Sequence, residues 1–318
     1  MRRIAITNQK GGVGKTTTAA NLGAALAMLG RRVIAVDLDP QANLTLHVLG
    51  DGQPILNSTY TLLRGGCTFA DLLVPTEFPL LRLAPATVDL AGLEVELASI
   101  VGRETLLRDA VDAFESNASG TSPGGRASDR ADDAADFLLL DCPPSLGVLS
   151  LNALVCAREV LIPLQTEFLA LQGVSRLLDV VELVRRRLNP DLDVTGVLAC
   201  MVNPRTNLAA EVLEEIRSFF GERFFETWIR ENVRLAEAPS HGRTIFSYAS
   251  DSNGAADYLR LATEILERAA GRAPAPADLA LQPRPPSPAS ALPGPAGPTP
   301  TPAAVPAEEA APGPSPPA

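Results

Sequence analysis

Two lysines and three aspartates hold the most distinctive chemistry in this sequence. Of its 27 Lys and Arg residues only two are lysine, Lys10 and Lys15, and both lie in one stretch, Lys10-Gly11-Gly12-Val13-Gly14-Lys15-Thr16-Thr17. An ammonium is a compact point charge on a flexible stem, whereas guanidinium is a wide planar fork. A narrow phosphate cradle admits the first more easily. Successive glycine amides can turn inward around a phosphate, and a helix that starts at the end of such a stretch adds its positive end. In that cradle Lys15 is expected to reach the β and γ phosphates of a nucleotide and Thr16 to offer its hydroxyl to Mg2+. The aspartates close apolar runs. Asp37 and Asp39 lie in Val-Asp-Leu-Asp-Pro-Gln-Ala-Asn, and Asp141 ends Phe-Leu-Leu-Leu-Asp. A carboxylate leaving a strand beside a phosphate loop can hold Mg2+ directly or through water. Asp141 is expected to do so, with Asp37 supporting the loop and the metal shell.

These residues need a scaffold, and its pattern is legible. Five short, nearly all-apolar runs (Ile4–Thr7, Val33–Asp37, Phe137–Asp141, Val160–Leu164 and Val194–Met201) read as strands buried on both faces, hence mostly parallel. Helical patterns lie between them. Thr16–Leu29 ends at Gly30, a natural helix stop. Leu171, Val174, Leu178 and Val181 recur at helical spacing before Pro190, and Leu208–Phe220 and Ala255–Ala270 read as further helices. Alternating strand and helix predicts an α/β, doubly wound sheet with helices on both faces. In such sheets ligands bind at the carboxyl ends of the strands, where the loop and all three aspartates fall. Residues 1–270 are expected to form one phosphate-loop, nucleotide-binding domain, with a surface insertion at 116–135. Residues 271–318 hold 16 of the 28 prolines and no aromatic residue, and read as a disordered Pro/Ala-rich tail.

The strict phosphate-loop pattern G-x-x-x-x-G-K-[ST] is not met, because Gln9 stands where its first glycine would be. With Lys10 at the entrance, the stretch resembles the deviant Walker A loop of the ParA/MinD family of ATPases. That resemblance implies ATP and Mg2+ as cofactors, with Lys10 reaching across a nucleotide-sandwiched homodimer to the partner's phosphates. It also implies that Asp39 orients the attacking water near the γ-phosphate. Lys10, Lys15 and Asp39 are thus the expected catalytic set, and Lys10 through Thr17 the nucleotide-binding loop.

The likeness continues through Asp37–Asn43, Asp141-Cys142-Pro143-Pro144-Ser145-Leu146-Gly147, Arg205-Thr206-Asn207-Leu208 and Asn232-Val233-Arg234-Leu235-Ala236-Glu237-Ala238-Pro239-Ser240-His241-Gly242. Together these look like the chromosomal ParA (Soj) branch. The branch implies a dimer that holds double-stranded DNA without sequence preference and a ParB-like centromere-binding partner, in a nucleoid-associated cytoplasmic protein. Asn232 is then the expected adenine contact. Arg205 matches the family's DNA-contacting arginine, and Arg217, Arg223, Arg230, Arg234 and Arg243 are candidates to extend the patch. Where the family often has Pro-Arg-Asn-Val-Arg this chain has Arg230-Glu231-Asn232-Val233-Arg234, and where it often has Asp-Ala-Arg-Thr-Asn this chain has Asn203-Pro204-Arg205-Thr206-Asn207. The alternatives are a same-fold ATPase that positions a protein cargo and a MinD-like spatial regulator.

Composition narrows the field further. A net charge of -10 argues against a histone-like polycation. No apolar stretch reaches the roughly 18 residues of a spanning helix, and no basic amphipathic helix closes the chain, so no membrane partner is expected. Met1-Arg2-Arg3 is followed almost at once by Asn8, Gln9 and Lys10, too early for a secretory leader. The four cysteines (Cys67, Cys142, Cys156 and Cys200) are scattered, without a zinc or disulfide spacing. Neither His47 nor His241 sits in a catalytic pattern, and Cys142 reads as a small buried hydrophobe.

Overall fold

The fold was analysed in a computed structural model that describes residues 1–118, 134–167 and 170–271, with side chains from 173 onward in the last segment. The core of the expected 116–135 insertion and nearly all of the 271–318 tail lie outside the described residues. The elements run β1 (Arg2–Ile6), α1 (Lys15–Met28), β2 (Val33–Asp37), α2 (Asn43–Leu49), α3 (Thr59–Leu63), β3 (Val74–Pro75), β4 (Leu81–Ala84), α4 (Leu90–Glu96) and α5 (Leu106–Ala118). They continue with β5 (Phe137–Asp141), α6 (Val148–Cys156), β6 (Glu159–Gln165), α7 (Ala170–Arg187), β7 (Asp193–Cys200), α8 (Asn207–Phe220), α9 (Val233–Glu237), α10 (Ile245–Tyr248) and α11 (Asn253–Gly271).

The strands form one sheet in the order β3-β4-β2-β5-β1-β6-β7. All neighbours are parallel except β3, which pairs antiparallel with β4. The two strands absent from the sequence reading are β3 and β4. Four residues interrupted by Arg82, and two residues ending in proline, carry too little apolar period to register. Proline is tolerated in β3 because that strand is the sheet's edge.

Successive side chains of a strand point to opposite faces, and the core divides accordingly. Ile4, Ile6, Val33, Ala35, Phe137 and Leu139 pack on one face with α1 and α11. Ala5, Ile34, Val36, Leu138 and Leu140 pack on the other with α5, α6 and α7. Helix α1 lies so close to the sheet that a Cβ on Gly23 would stand 3.3 Å from Leu81. Its C-terminal turn is closed by Gly30 at φ +79°, whose N–H donates to the Ala27 carbonyl at 3.0 Å.

The register matters most for function. Asp37 pairs with Asp141, and Ile6 with Asp141, so β1, β2 and β5 end level with one another. The phosphate loop and all the aspartates therefore emerge at one rim.

A second close approach fixes α2, which carries the end of the Asp37–Asn43 motif. Gly242 has φ +60°, and a Cβ there would lie 2.3 Å from the Gly50 Cα at the C-terminus of α2. Gly242→Ala combines left-handed strain with backbone overlap, and is expected to destabilise the fold by about 2–5 kcal/mol. Urea unfolding checks this, and a loss below about 1 kcal/mol would show that the two turns part easily.

Candidate active site

The phosphate loop is built by backbone conformation. Gly12 and Gly14 have φ of +74° and +92°, values that residues with a Cβ rarely adopt. Beside Gly11 and Gly12 nothing stands within 4 Å of where a Cβ would be, so a ligand can approach the bare backbone. Asn8, buried, fixes the loop's entrance. Its amide nitrogen donates to the Pro163 carbonyl at 2.7 Å, and its Oδ1 accepts the Lys10 N–H at 3.0 Å.

Lys15 opens α1 and is 7% exposed. Its Nζ donates to the Lys10 carbonyl at 3.1 Å, which uses one of three ammonium hydrogens. Burial holds its pKa below the usual lysine value, opposed by the nearby Asp141 carboxylate, the Cys142 thiol and the Asp39 carboxylate. Lys15, Asp39 and Asp141 thus share one electrostatic neighbourhood.

Asp141 is fully buried, and neither carboxylate oxygen has a hydrogen-bond partner of good geometry. Its pKa is pushed well above the ordinary range by burial and then by Asp37, with the Thr16 hydroxyl and the Lys15 charge offsetting this only in part. An orphaned buried carboxylate calls for a cation or a proton. This is the observation that fits Mg2+: Asp141 and Thr16 can supply oxygens, and Mg2+ keeps waters and phosphate oxygens for its remaining positions. No group of three His, Cys, Asp or Glu side chains among the described residues forms a metal cage, and such an ion does not require one.

Asp37 is also fully buried, but its oxygens are engaged. Oδ2 accepts the Thr45 N–H at 2.8 Å and the Thr45 hydroxyl at 2.7 Å, while Oδ1 accepts the Asp39 N–H at 3.1 Å. Burial still pushes its pKa up to about 6. These bonds tie the end of β2 to α2 and to the Asp39 turn. Asp39 begins that turn: its Oδ1 accepts the Gln41 N–H at 2.9 Å, and its carbonyl accepts the Ala42 N–H at 2.9 Å.

Lys10 is turned outward. Its ammonium pairs with Glu167, just beyond β6, at 2.5 Å, and the side chain is half exposed. Glu167 was invisible to the sequence reading, as was Asn8. Both contacts join the end of β1 and its loop to the neighbouring strand β6, at sequence separations of 157 and 155, beyond any local pattern.

The remaining expected residues lie beyond β7, in α8, α9 and the loops around them. Asn232 caps α9, its Oδ1 accepting the Arg234 N–H at 2.9 Å. Arg205 and Arg243 are exposed and, among the described residues, carry no ion pair. Arg234 pairs with Glu237 at 3.1 Å and is 60% exposed. Three further patch candidates are engaged within the protein. Arg217 grips Glu226 at 2.6 and 2.9 Å, Arg223 lies 3.7 Å from Asp193, and Arg230 grips the buried Asp257. His47 is buried, its pKa pushed down to about 4, and it sits against the Arg243 backbone as part of the α2 packing. Cys142 is buried with its thiol pKa pushed up, consistent with a packing residue.

Comparison with known proteins adds independent weight. The family model described as the CobQ/CobB/MinD/ParA nucleotide binding domain matches residues 4–245. The chain is 44% identical over 262 residues to the sporulation initiation inhibitor protein Soj of Bacillus subtilis, covering 82% of this chain and 97% of that protein. It is 47% identical over 268 residues to the chromosome-partitioning ATPase Soj of Thermus thermophilus, covering 84% and 96%. Among solved structures, cobyrinic acid a,c-diamide synthase from Mycobacterium smegmatis, with a bound ATP analogue and magnesium, superposes with a TM-score of 0.70 at 34% identity, covering 85% of this chain and 96% of that one.

Proposed function

Since the chain belongs to the CobQ/CobB/MinD/ParA family of nucleotide-binding domains, and within it is related to the Soj/ParA partitioning proteins, we propose that it is a Mg2+-dependent ATPase that drives DNA segregation. The observation that carries this reading is the buried, unpartnered Asp141 carboxylate beside Lys15 at the foot of an open glycine loop. The partitioning relatives are the nearer likeness, at 44–47% identity against 34% for the synthase, and favour segregation over amide synthesis.

The roles follow from position. Backbone amides of Gly11–Thr17 and the start of α1 hold the phosphates. Lys15 supplies positive charge to the β and γ phosphates. Thr16 and Asp141 hold Mg2+, which when bound neutralises charge on the transferring phosphoryl group. Asp37 keeps the end of β2 and the Asp39 turn in place through Thr45. Asp39 orients the attacking water. Phosphoryl transfer needs little beyond positioning and charge neutralisation, so this set suffices.

Lys10 of each subunit reaches the nucleotide of the other, making ATP the bridge of a homodimer. It gives up the exposed Glu167 pair to do so, at small cost, since exposed ion pairs are worth about 0–1 kcal/mol. The dimer holds double-stranded DNA without sequence preference through Arg205, with Arg234 and Arg243 alongside, and a ParB-like partner stimulates hydrolysis and release. Asn232 is the proposed adenine contact. The switch operates because ATP binds the dimer more tightly than the monomer.

Filter retention of plasmid DNA tests the DNA step. Wild type is expected to retain DNA with ATP and not with ADP. Arg205→Glu is expected to lose at least about tenfold in retention while still pairing on ATP, because each phosphate contact carries salt-dependent affinity. Undiminished retention would remove Arg205 from the interface, and equal retention in ATP and ADP would defeat the switch.

A further inference from the structure

Asp257 in α11 is a carboxylate with no solvent exposure, and Arg230 answers it from three donors. The Arg230 N–H donates to Oδ2 at 3.0 Å, Nε lies 3.0 Å from Oδ2, and Nη2 donates to Oδ1 at 2.7 Å. Arg260, one turn on, adds a second guanidinium to the same carboxylate. Removing one partner from a buried pair leaves a stranded charge, which is why such pairs fix geometry firmly.

The backbone this clamp holds is the segment leading to Asn232. It lies against the end of β7: the Val202 N–H donates to the Ile229 carbonyl at 3.0 Å, and the Glu231 N–H to the Val202 carbonyl at 3.1 Å. The chain leaves β7 through Met201 at φ +55°, an uncommon conformation for a residue with a side chain. One residue beyond Asp257, the Tyr258 hydroxyl lies 3.3 Å from the Thr18 hydroxyl in α1. Helix α11 therefore registers the clamp against the helix that carries the phosphate loop.

The sheet order gives this placement a direction. The carboxylates of Asp39 and Asp141 emerge from β2 and β5, on one side of the loop that follows β1. The terminal phosphate and its metal belong on that side. The base of the same nucleotide then lies on the other side, over β6 and β7, where Cys200 stands 3.8 Å from the position of a Cβ on Gly14. The clamped segment and the Met201 turn form the walls of that end.

We propose that the Arg230–Asp257 pair, braced by Arg260, is a positioning device that holds Asn232 and the end of β7 at the spacing that selects adenine over guanine. The inference rests on the nucleotide site proposed above and goes beyond it. It gives Arg230 a duty in base selection, in place of the DNA patch.

The test is the ratio of kcat/KM for ATP to that for GTP in the full-length protein. Wild type is expected to favour ATP. Arg230→Gln is expected to lower the ratio about tenfold, mainly through KM for ATP, the size of one lost hydrogen bond and the signature of binding common to ground and transition states. Arg230→Gln with Asp257→Asn removes the buried charge that only the half-exposed Arg260 would otherwise answer, so it folds even where the single variant does not, and is expected to keep the lowered ratio. A ratio unchanged in a folded variant would overturn the proposal, as would equal loss for both nucleotides. Loss of DNA retention with an unchanged ratio would return Arg230 to the DNA patch. A wild-type protein that turns over neither nucleotide would overturn the nucleotide site itself.

Discussion

Lys15→Ala is expected to abolish measurable ATP binding without harming the fold. On the proposed reading, the Lys15 ammonium faces the β and γ phosphates from a site that is almost wholly buried. Losing one partner of a desolvated, hydrogen-bonded charge pair costs about 2–5 kcal/mol or more, roughly 30- to several-thousand-fold in affinity. The fold should not suffer. Burial is the leading influence on Lys15 and acts against its charged form, holding its pKa below the ordinary lysine value. A group whose charged form is disfavoured in the folded state contributes no stability from that charge at neutral pH. The alanine variant should therefore stay folded while failing to bind a fluorescent ATP analogue. Retained binding would remove Lys15 from the phosphate site, and a large drop in melting temperature would make it a structural residue.

Asp39→Ala is expected to uncouple binding from turnover. Asp39 is held in a turn by its own carbonyl and Oδ1, close enough to bear on Lys15 and Asp141, while Asp37 anchors the turn from behind. A positioned carboxylate that orients water contributes about 10²–10⁴-fold to rate. The variant should hydrolyse ATP at least about a hundredfold more slowly, with affinity within a few-fold of wild type, since the glycine loop and Lys15 remain. Wild-type turnover would exclude Asp39 from the mechanism. Loss of binding would give it a role in holding the loop.

What the sequence revealed, it revealed through short range and strong period. The glycine loop is contiguous, and its context of strand then helix could be read from Ile4–Thr7 and Thr16–Leu29. Asp141 stood out because it ended an apolar run that only a doubly buried strand explains. Residues whose meaning depends on a distant partner were not legible. Glu167 answers Lys10 from just beyond the neighbouring strand β6, Asn8 ties the loop to Pro163, and Thr45 occupies Asp37 from the next helix. The arginines show the same limit. Arg217 and Arg223 looked like surface charge because Glu226 and Asp193 approach them only in the folded chain, and Arg230 because Asp257 lies 27 residues on. The antiparallel edge was missed for a different reason: β3 and β4 are too short to show a period, and Arg82 breaks what there is.

The central claim is that ATP joins two subunits through Lys10, and light scattering of the Asp39→Ala protein measures it most directly. With hydrolysis slowed, this protein should be dimeric in Mg2+-ATP and monomeric in Mg2+-ADP. Adding Lys10→Gln should leave it monomeric in both nucleotides, with ATP still bound through Lys15. A Lys10→Gln, Asp39→Ala protein that remains dimeric in ATP would contradict the account.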